Sequence, residues 1–120
     1  MGTVGVKSLD KPDETRTFPN GAAEMVTIGS TMVGRARMEP GWRWSNDVKP
    51  ISGTNQCMIL HKGYCVSGSL MVQADDGAQT SIGAGDAYVI EPGHDAWVVG
   101  DEAYVAVDFS EQMAEYAKPS

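Results

Sequence analysis

Positive charge is scarce in this chain. Nine lysines and arginines face sixteen aspartates and glutamates over 120 residues, a net charge of −7 at pH 7. A phosphate backbone or an anionic membrane surface is repelled by that balance, so neither nucleic acid nor a membrane is expected as a partner. Long hydrophobic runs are missing too. No stretch approaches the roughly 20 apolar residues of a bilayer-spanning helix, and residues 1–10 carry no signal-peptide core. Cysteine is limited to Cys57 and Cys65. Placed in one strand they would stand roughly 26 Å apart, far beyond the ~7 Å limit for a disulfide. Free thiols suit a reducing compartment, and a cytoplasmic location is expected. The chain also lacks a Gly-rich phosphate loop, a nucleophile elbow, a Cys-x-x-Cys pair, a long amphipathic helix and any internal repeat.

What is present is turn chemistry. Fourteen glycines and six prolines with 42% hydrophobic residues fit one turn-rich β domain. Residues 1–21 show no periodicity and read as an extended N-terminal arm that wraps a neighbouring strand or a second subunit, or frays. Residues 22–120 form the domain proper. Strands are expected at 22–28, 30–38, within 55–74, and at 80–82, 87–90, 97–99 and 103–109. In the second of these, Met32, Gly34, Ala36 and Met38 alternate with Val33, Arg35, Arg37 and Glu39. Asp75-Asp76-Gly77 is a hairpin turn. Residues 45–53 read as a loop, and 110–118 as a short helix with Ser110 as N-cap. Glu91-Pro92-Gly93 joins two apolar runs in a strand, tight turn, strand pattern.

That last stretch, from a Gly85-Asp86 entry through Pro92-Gly93 to Gly100, resembles the second motif of the cupin family: Gly, five residues, Pro, one, Gly, two, His, three, Asn. Laid from Gly85, the pattern puts Glu91 at the Pro, Gly93 at the Gly, Ala96 at the His and Gly100 at the Asn. Residues 55–68 resemble the first motif: His, one, His, three or four, Glu, six, Gly. Anchored on Gly68, the Glu position falls on His61 and the two His positions on Asn55 and Cys57, while Lys49 stands where a preceding Gly is expected. The resemblance implies an all-β fold, a single cupin-type jelly-roll β-barrel with an N-terminal arm and a short C-terminal helix. It implies a homodimer and a small-molecule ligand inside the barrel. The function it implies is an enzyme of small-molecule metabolism (isomerase, cyclase, lyase or oxygenase), with a non-catalytic ligand-binding module as the alternative.

The family's metal is usually held by three His and one Glu. Position by position this chain offers Asn55, Cys57, His61 and Ala96. Ala96 cannot ligate, and Asn55 is a poor ligand beside imidazole. Cys57 and His61 remain, on one face of a straight strand, with His94 able to reach in from the turn. A Cys57/His61/His94 set suits one transition-metal ion, Zn, Fe or Cu. Without metal, His61 is left as acid or base, aided by Tyr64 or Tyr88. Plainer readings stand beside these: Cys57 as a small buried hydrophobe, and His94 as a solvated loop residue. Beyond His61 the inward positions are Gly63, Cys65 and Ser67, all small, which leaves room for a ligand. Substrate-binding walls are expected from Trp42, Trp44 and Trp97, with Arg37 or Arg35 as anchor for a carboxylate; core packing is the ordinary alternative. The acids in turns, Asp47, Asp75, Asp76, Asp86, Glu91 and Asp95, form no carboxylate dyad.

Overall fold

The computed structural model describes residues 3–119; Met1, Gly2 and Ser120 lie outside the described residues, the first two within the expected arm. The alternation read in residues 30–38 is realised in β3 (Thr31–Met38), which buries Gly34, Ala36 and Met38 and turns Arg35 and Arg37 outward. It pairs antiparallel with β2 (Gly21–Ile28), the two joined by a turn in which Gly29 takes φ +62°. A positive φ there matches the twist of the flanking strands and costs glycine nothing. β1 (Glu14–Phe18) lies outside β2. On the other side of β3 come β9 (Tyr104–Asp108), β4 (His61–Ser67) and β7 (Ala87–Ile90), giving the order β1-β2-β3-β9-β4-β7. A second sheet has the order β6-β5-β8, from β5 (Ser69–Ala74), β6 (Gln79–Gly83) and β8 (His94–Val98). Every pairing is antiparallel. This is an all-β jelly roll.

Period-two alternation decides what fills it. Met25 and Ala23 from β2, Cys65 from β4, Leu70 and Val72 from β5, Ala96 and Val98 from β8, and Tyr104 and Ala106 from β9 are all buried in one cluster. Withdrawing each larger side chain from water contributes about 1.5–3 kcal/mol. The Asp75-Asp76-Gly77 turn joins β5 to β6 as expected, with Ser69 opposite Gly83 and Gln73 opposite Gln79.

Several expectations are corrected. Residues 87–98 do not form a hairpin: β7 pairs with β4 and β8 with β5, so Glu91-Pro92-Gly93 carries the chain from one sheet to the other. The arm is not among these: its residues 14–18 lie as β1 along β2, and Arg35 ties the segment before β1 to β3 by bonding the Leu9 carbonyl and the Asp10 carboxylate. Residues 45–53 hold two short helices, α1 (Trp44–Asp47) and α2 (Lys49–Ser52). Pro50 reads as a loop signal, yet it sits in the first turn of α2, where a missing N–H costs nothing. The C-terminal helix is a 3-10 helix over Glu111–Glu115, with the Ser110 hydroxyl accepting from the Gln112 N–H as expected.

Candidate metal centre

Cys57 lies outside every strand, in an isolated bridge to His94. The Cys57 N–H donates to the His94 carbonyl at 2.8 Å, and Gly93 N–H donates to the Cys57 carbonyl at 2.8 Å. Four residues along a straight strand would separate Cys57 from His61 by about 13 Å, too far to share an ion. The chain instead bends between them, and Cys57 Sγ stands 3.6 Å from His61 Nε2. His94 opens β8 with its side chain buried, so the solvated-loop reading of it is overturned. Ala96, at the family's His position, faces the same interior two residues further along the strand. A two-residue step keeps the face and moves the side chain roughly 6.6 Å. His94 thus restores an imidazole to a face whose expected position is blank. Asn55 is exposed and takes no part.

One ligand atom each from Cys57, His61 and His94 lies within 4.8 Å of the other two. The remaining nitrogen of each imidazole is already committed. His61 Nδ1 is 2.9 Å from Asp108 Oδ2, and His94 Nδ1 is 2.8 Å from the Glu91 carbonyl oxygen. A carbonyl can only accept, so His94 Nδ1 carries a proton and Nε2 is the atom left to ligate. A carboxylate or carbonyl on the far nitrogen is how proteins orient and strengthen a metal-bound histidine. One thiolate and two imidazoles fit zinc, copper or iron, with a position left for water or substrate. The residues present fit the group.

Without a metal, the same residues polarise one another. Burial pushes the Cys57 thiol up, but hydrogen bonds and charge from His61 and His94 outweigh it and bring it down to about 6. Burial pushes the His61 imidazolium down, but Asp108 and Cys57 outweigh that and raise it to about 9. The stability consequence cancels. The raised His61 contributes stability below its ordinary pKa, lost as pH rises through about 9; the lowered Cys57 contributes above its ordinary pKa, lost as pH falls through about 6. Across the window between them the folded pair holds the same number of protons as the unfolded chain. A pH–stability curve stays flat there, and the thiolate itself must be read. Absorbance at 240 nm of metal-free protein is expected to show one thiolate at neutral pH, lost near pH 6 and absent in His61→Ala. Cys65, whose thiol burial raises, adds none at neutral pH. A thiolate signal that appears only above pH 8 would refute the ion pair.

The cluster opens on an inner cavity of about 50 Å³, walled mainly by apolar side chains and including Trp42, Trp44, Tyr88, Tyr104 and Tyr116. Burial holds the Tyr88 and Tyr104 phenols above their ordinary pKa. Tyr88 can therefore donate a proton but not serve as a base near neutrality. The other expected residues lie elsewhere. Tyr64 is 47% exposed, on the opposite face of β4 from His61. Arg37 is exposed and paired with Glu39; Arg35 is paired with Asp10 and Glu24. Trp97 lies on the outer side of β8 under the Arg43 guanidinium, 4.3 Å from its ring centre. Sequence reasoning missed Asp108, 3% exposed at the last inward position of β9. It also missed Tyr104 and Tyr116. The sequence signal is two-sided: Tyr104, Ala106 and Asp108 share one face of β9 and Val105 and Val107 the other, so alternation alone does not choose the interior one.

This is a cupin-type jelly roll with a Cys/His/His cluster in place of the family's His-rich set. No protein-family model matches the sequence, and no match to a curated protein was found. Among solved structures the chain is similar to a cupin-like protein from Thermotoga maritima (18% identity, TM-score 0.55, covering 81% of this chain and 73% of that one). It is similar to KdgF from a Halomonas species (21% identity, TM-score 0.53, 77% and 81%). It also resembles part of an oxalate decarboxylase from Bacillus subtilis (20% identity, TM-score 0.59), covering 92% of this chain but 30% of that one. At these identities the likeness establishes the fold: the chain has the cupin fold.

Proposed function

We propose that this barrel holds one transition-metal ion between Cys57, His61 and His94 and acts as an enzyme on a small organic molecule bound beside it. The carrying observation is that three donor groups converge within 4.8 Å while both imidazoles have their second nitrogen anchored. When bound, the ion supplies a Lewis-acidic centre with an open position. The chain's own residues supply the rest. Asp108 fixes the His61 tautomer, the Glu91 carbonyl fixes that of His94, and the apolar wall excludes bulk water. Tyr88 and Tyr104 line the same cavity as protonated phenols able to donate a proton. This supports an isomerase, cyclase, lyase or oxygenase. The buried free thiols of Cys57 and Cys65 suit a reducing compartment.

A second reading is favoured by the hydrogen-bonded line Cys57–His61–Asp108, at 3.6 and 2.9 Å. In a metal-free barrel that line makes His61 an acid–base group held in place by Asp108. Elemental analysis separates the two. Protein purified without a chelating tag is expected to carry about one equivalent of transition metal per chain, lost in His61→Ala. A wild-type protein that takes up no metal, even after incubation with Zn²⁺, Fe²⁺ or Cu²⁺, sinks the metal centre.

A further inference from the structure

The inner cavity is too small for most metabolites. Its roughly 50 Å³ holds a few waters, at about 10–15 Å³ each on the same measure. A larger ligand must keep its body elsewhere. A second chamber of about 270 Å³ adjoins it, between α1, α2 and the segment after the 3-10 helix, and shares Trp44, Cys57 and Tyr116 with the inner one. Tyr116 lines both chambers. Its ring is buried, with its centre 5.6 Å from that of His61, and its backbone carbonyl accepts from Arg16 at 2.7 Å.

The lining specifies an occupant. Val48, Met58, Ile59, Ala117 and Pro119 make the outer chamber apolar. Its one cation, Lys118, faces Glu115 at 3.7 Å, and the arginines weighed as carboxylate anchors point outward into ion pairs. The Thr54 hydroxyl is already spent on the Gln56 carbonyl. In the inner cavity, by contrast, Trp42 Nε1 is the one buried side-chain polar atom without a hydrogen-bond partner among the described residues. Trp42 is 3% exposed and lines that cavity. A buried donor left unpaired costs about 1–3 kcal/mol, and a ligand acceptor would remove the cost.

We propose that the organic ligand is an uncharged molecule with an aromatic or branched apolar body in the outer chamber and a carbonyl-type acceptor in the inner one, bonded by Trp42 Nε1. Tyr116 shifts to let the two ends join. The proposal rests on the reading that the barrel works on a small molecule beside Cys57, His61 and His94.

Three probes of equal size test it: acetophenone, α-methylstyrene, which replaces the carbonyl by an apolar group, and benzoate, which is charged. Binding is followed by the indole N–H signals of the three tryptophans, on zinc-loaded and metal-free protein. Acetophenone is expected to bind most tightly and to move the Trp42 and Trp44 signals. It should exceed α-methylstyrene by about three- to tenfold, the worth of one neutral hydrogen bond. Trp42→Phe is expected to erase that preference. Met58→Trp or Ile59→Trp, which crowd the outer chamber, should weaken acetophenone about tenfold or more, while Thr80→Trp, at an exposed position of a third groove, should not. No binding by any probe, benzoate equal to acetophenone on metal-free protein, or a loss confined to Thr80→Trp overturns the proposal. Thermal melting identifies any variant that fails to fold; of the two outer-chamber variants, exposed Met58 is the safer site. The metal content of each sample is measured separately. A metal-free wild type thus removes the metal centre without deciding the ligand, and a failed titration on zinc-loaded protein does the reverse.

Discussion

Replacing Asp108 by asparagine is expected to lower transition-metal affinity about 10–100-fold, the usual effect of removing the partner behind a ligating histidine. The geometry makes this substitution cleaner than it first looks. Asp108 Oδ1 accepts from the Ser110 N–H at 2.8 Å and more weakly from the Lys62 N–H at 3.4 Å. An asparagine oxygen can keep both, so the end of β9 and its link to β4 survive. The other half of the group changes sign. Where Asp108 Oδ2 accepted from His61 Nδ1, an amide N–H₂ now donates, and the imidazole proton must move to Nε2. That is the nitrogen beside Cys57 Sγ. The lone pair a metal needs is gone, although every side chain remains in place. Competition with a chromophoric chelator gives the affinity, and circular dichroism checks the fold. In metal-free Asp108→Asn the thiolate absorbance at neutral pH should also fall, because one of the two partners that raise the His61 pKa has been neutralised. An unchanged affinity would mean that His61 does not ligate through Nε2.

Asp108 also marks the limit of what the sequence makes legible. Turn chemistry reads well because it is local. Gly29, Asp76-Gly77 and Pro92-Gly93 each announce a reversal that a few consecutive residues determine, and the alternation in residues 30–38 is realised in β3, although alternation alone does not decide that Ala36 and Met38 rather than Arg35 and Arg37 face inward. What a turn does with the strands it joins is not local. Pro92-Gly93 looks like a hairpin corner, yet β7 and β8 belong to different sheets, because each finds its partner far along the chain. The site fails to read for the same reason. Cys57 and His61 were paired by spacing on a straight strand, and they meet only because the chain bends and a backbone bridge to His94 pins Cys57. Asp108 is 47 residues from His61 in sequence. On β9 the apolar residues Val105 and Val107 suggest the opposite face as the buried one, so Asp108 looks like a surface acid. The tryptophans divide similarly: Trp42 and Trp44 reach the cavity through a helix start that no strand pattern foretells, and Trp97 does not reach it.

Gly68, the anchor for the motif alignment, carries the second large effect. Gly68→Ala is expected to destabilise the fold by about 2–5 kcal/mol, from two causes that add. Gly68 stands between β4 and β5 at φ +80°, a conformation that costs an L-residue roughly 1–2 kcal/mol. A Cβ there would also overlap the Ala103 carbonyl oxygen and the Tyr104 Cα. Both are backbone atoms, so no rotamer change relieves the contact, and overpacking of this kind costs about 1–3 kcal/mol. Against a total stability of about 5–15 kcal/mol, the melting temperature should drop by roughly 10 °C or more. Gly100 separates the causes. It has φ +87°, and a Cβ there would meet nothing within 4 Å, so Gly100→Ala carries the strain alone and should cost about 1–2 kcal/mol. Equal losses in the two variants would show that the close approach of β9 to Gly68 is not what requires glycine. A larger loss at Gly68 would show that it is. The glycine that made the fold legible would then be fixed by a neighbouring strand lying some 35 residues further along the chain, and not by the turn it occupies.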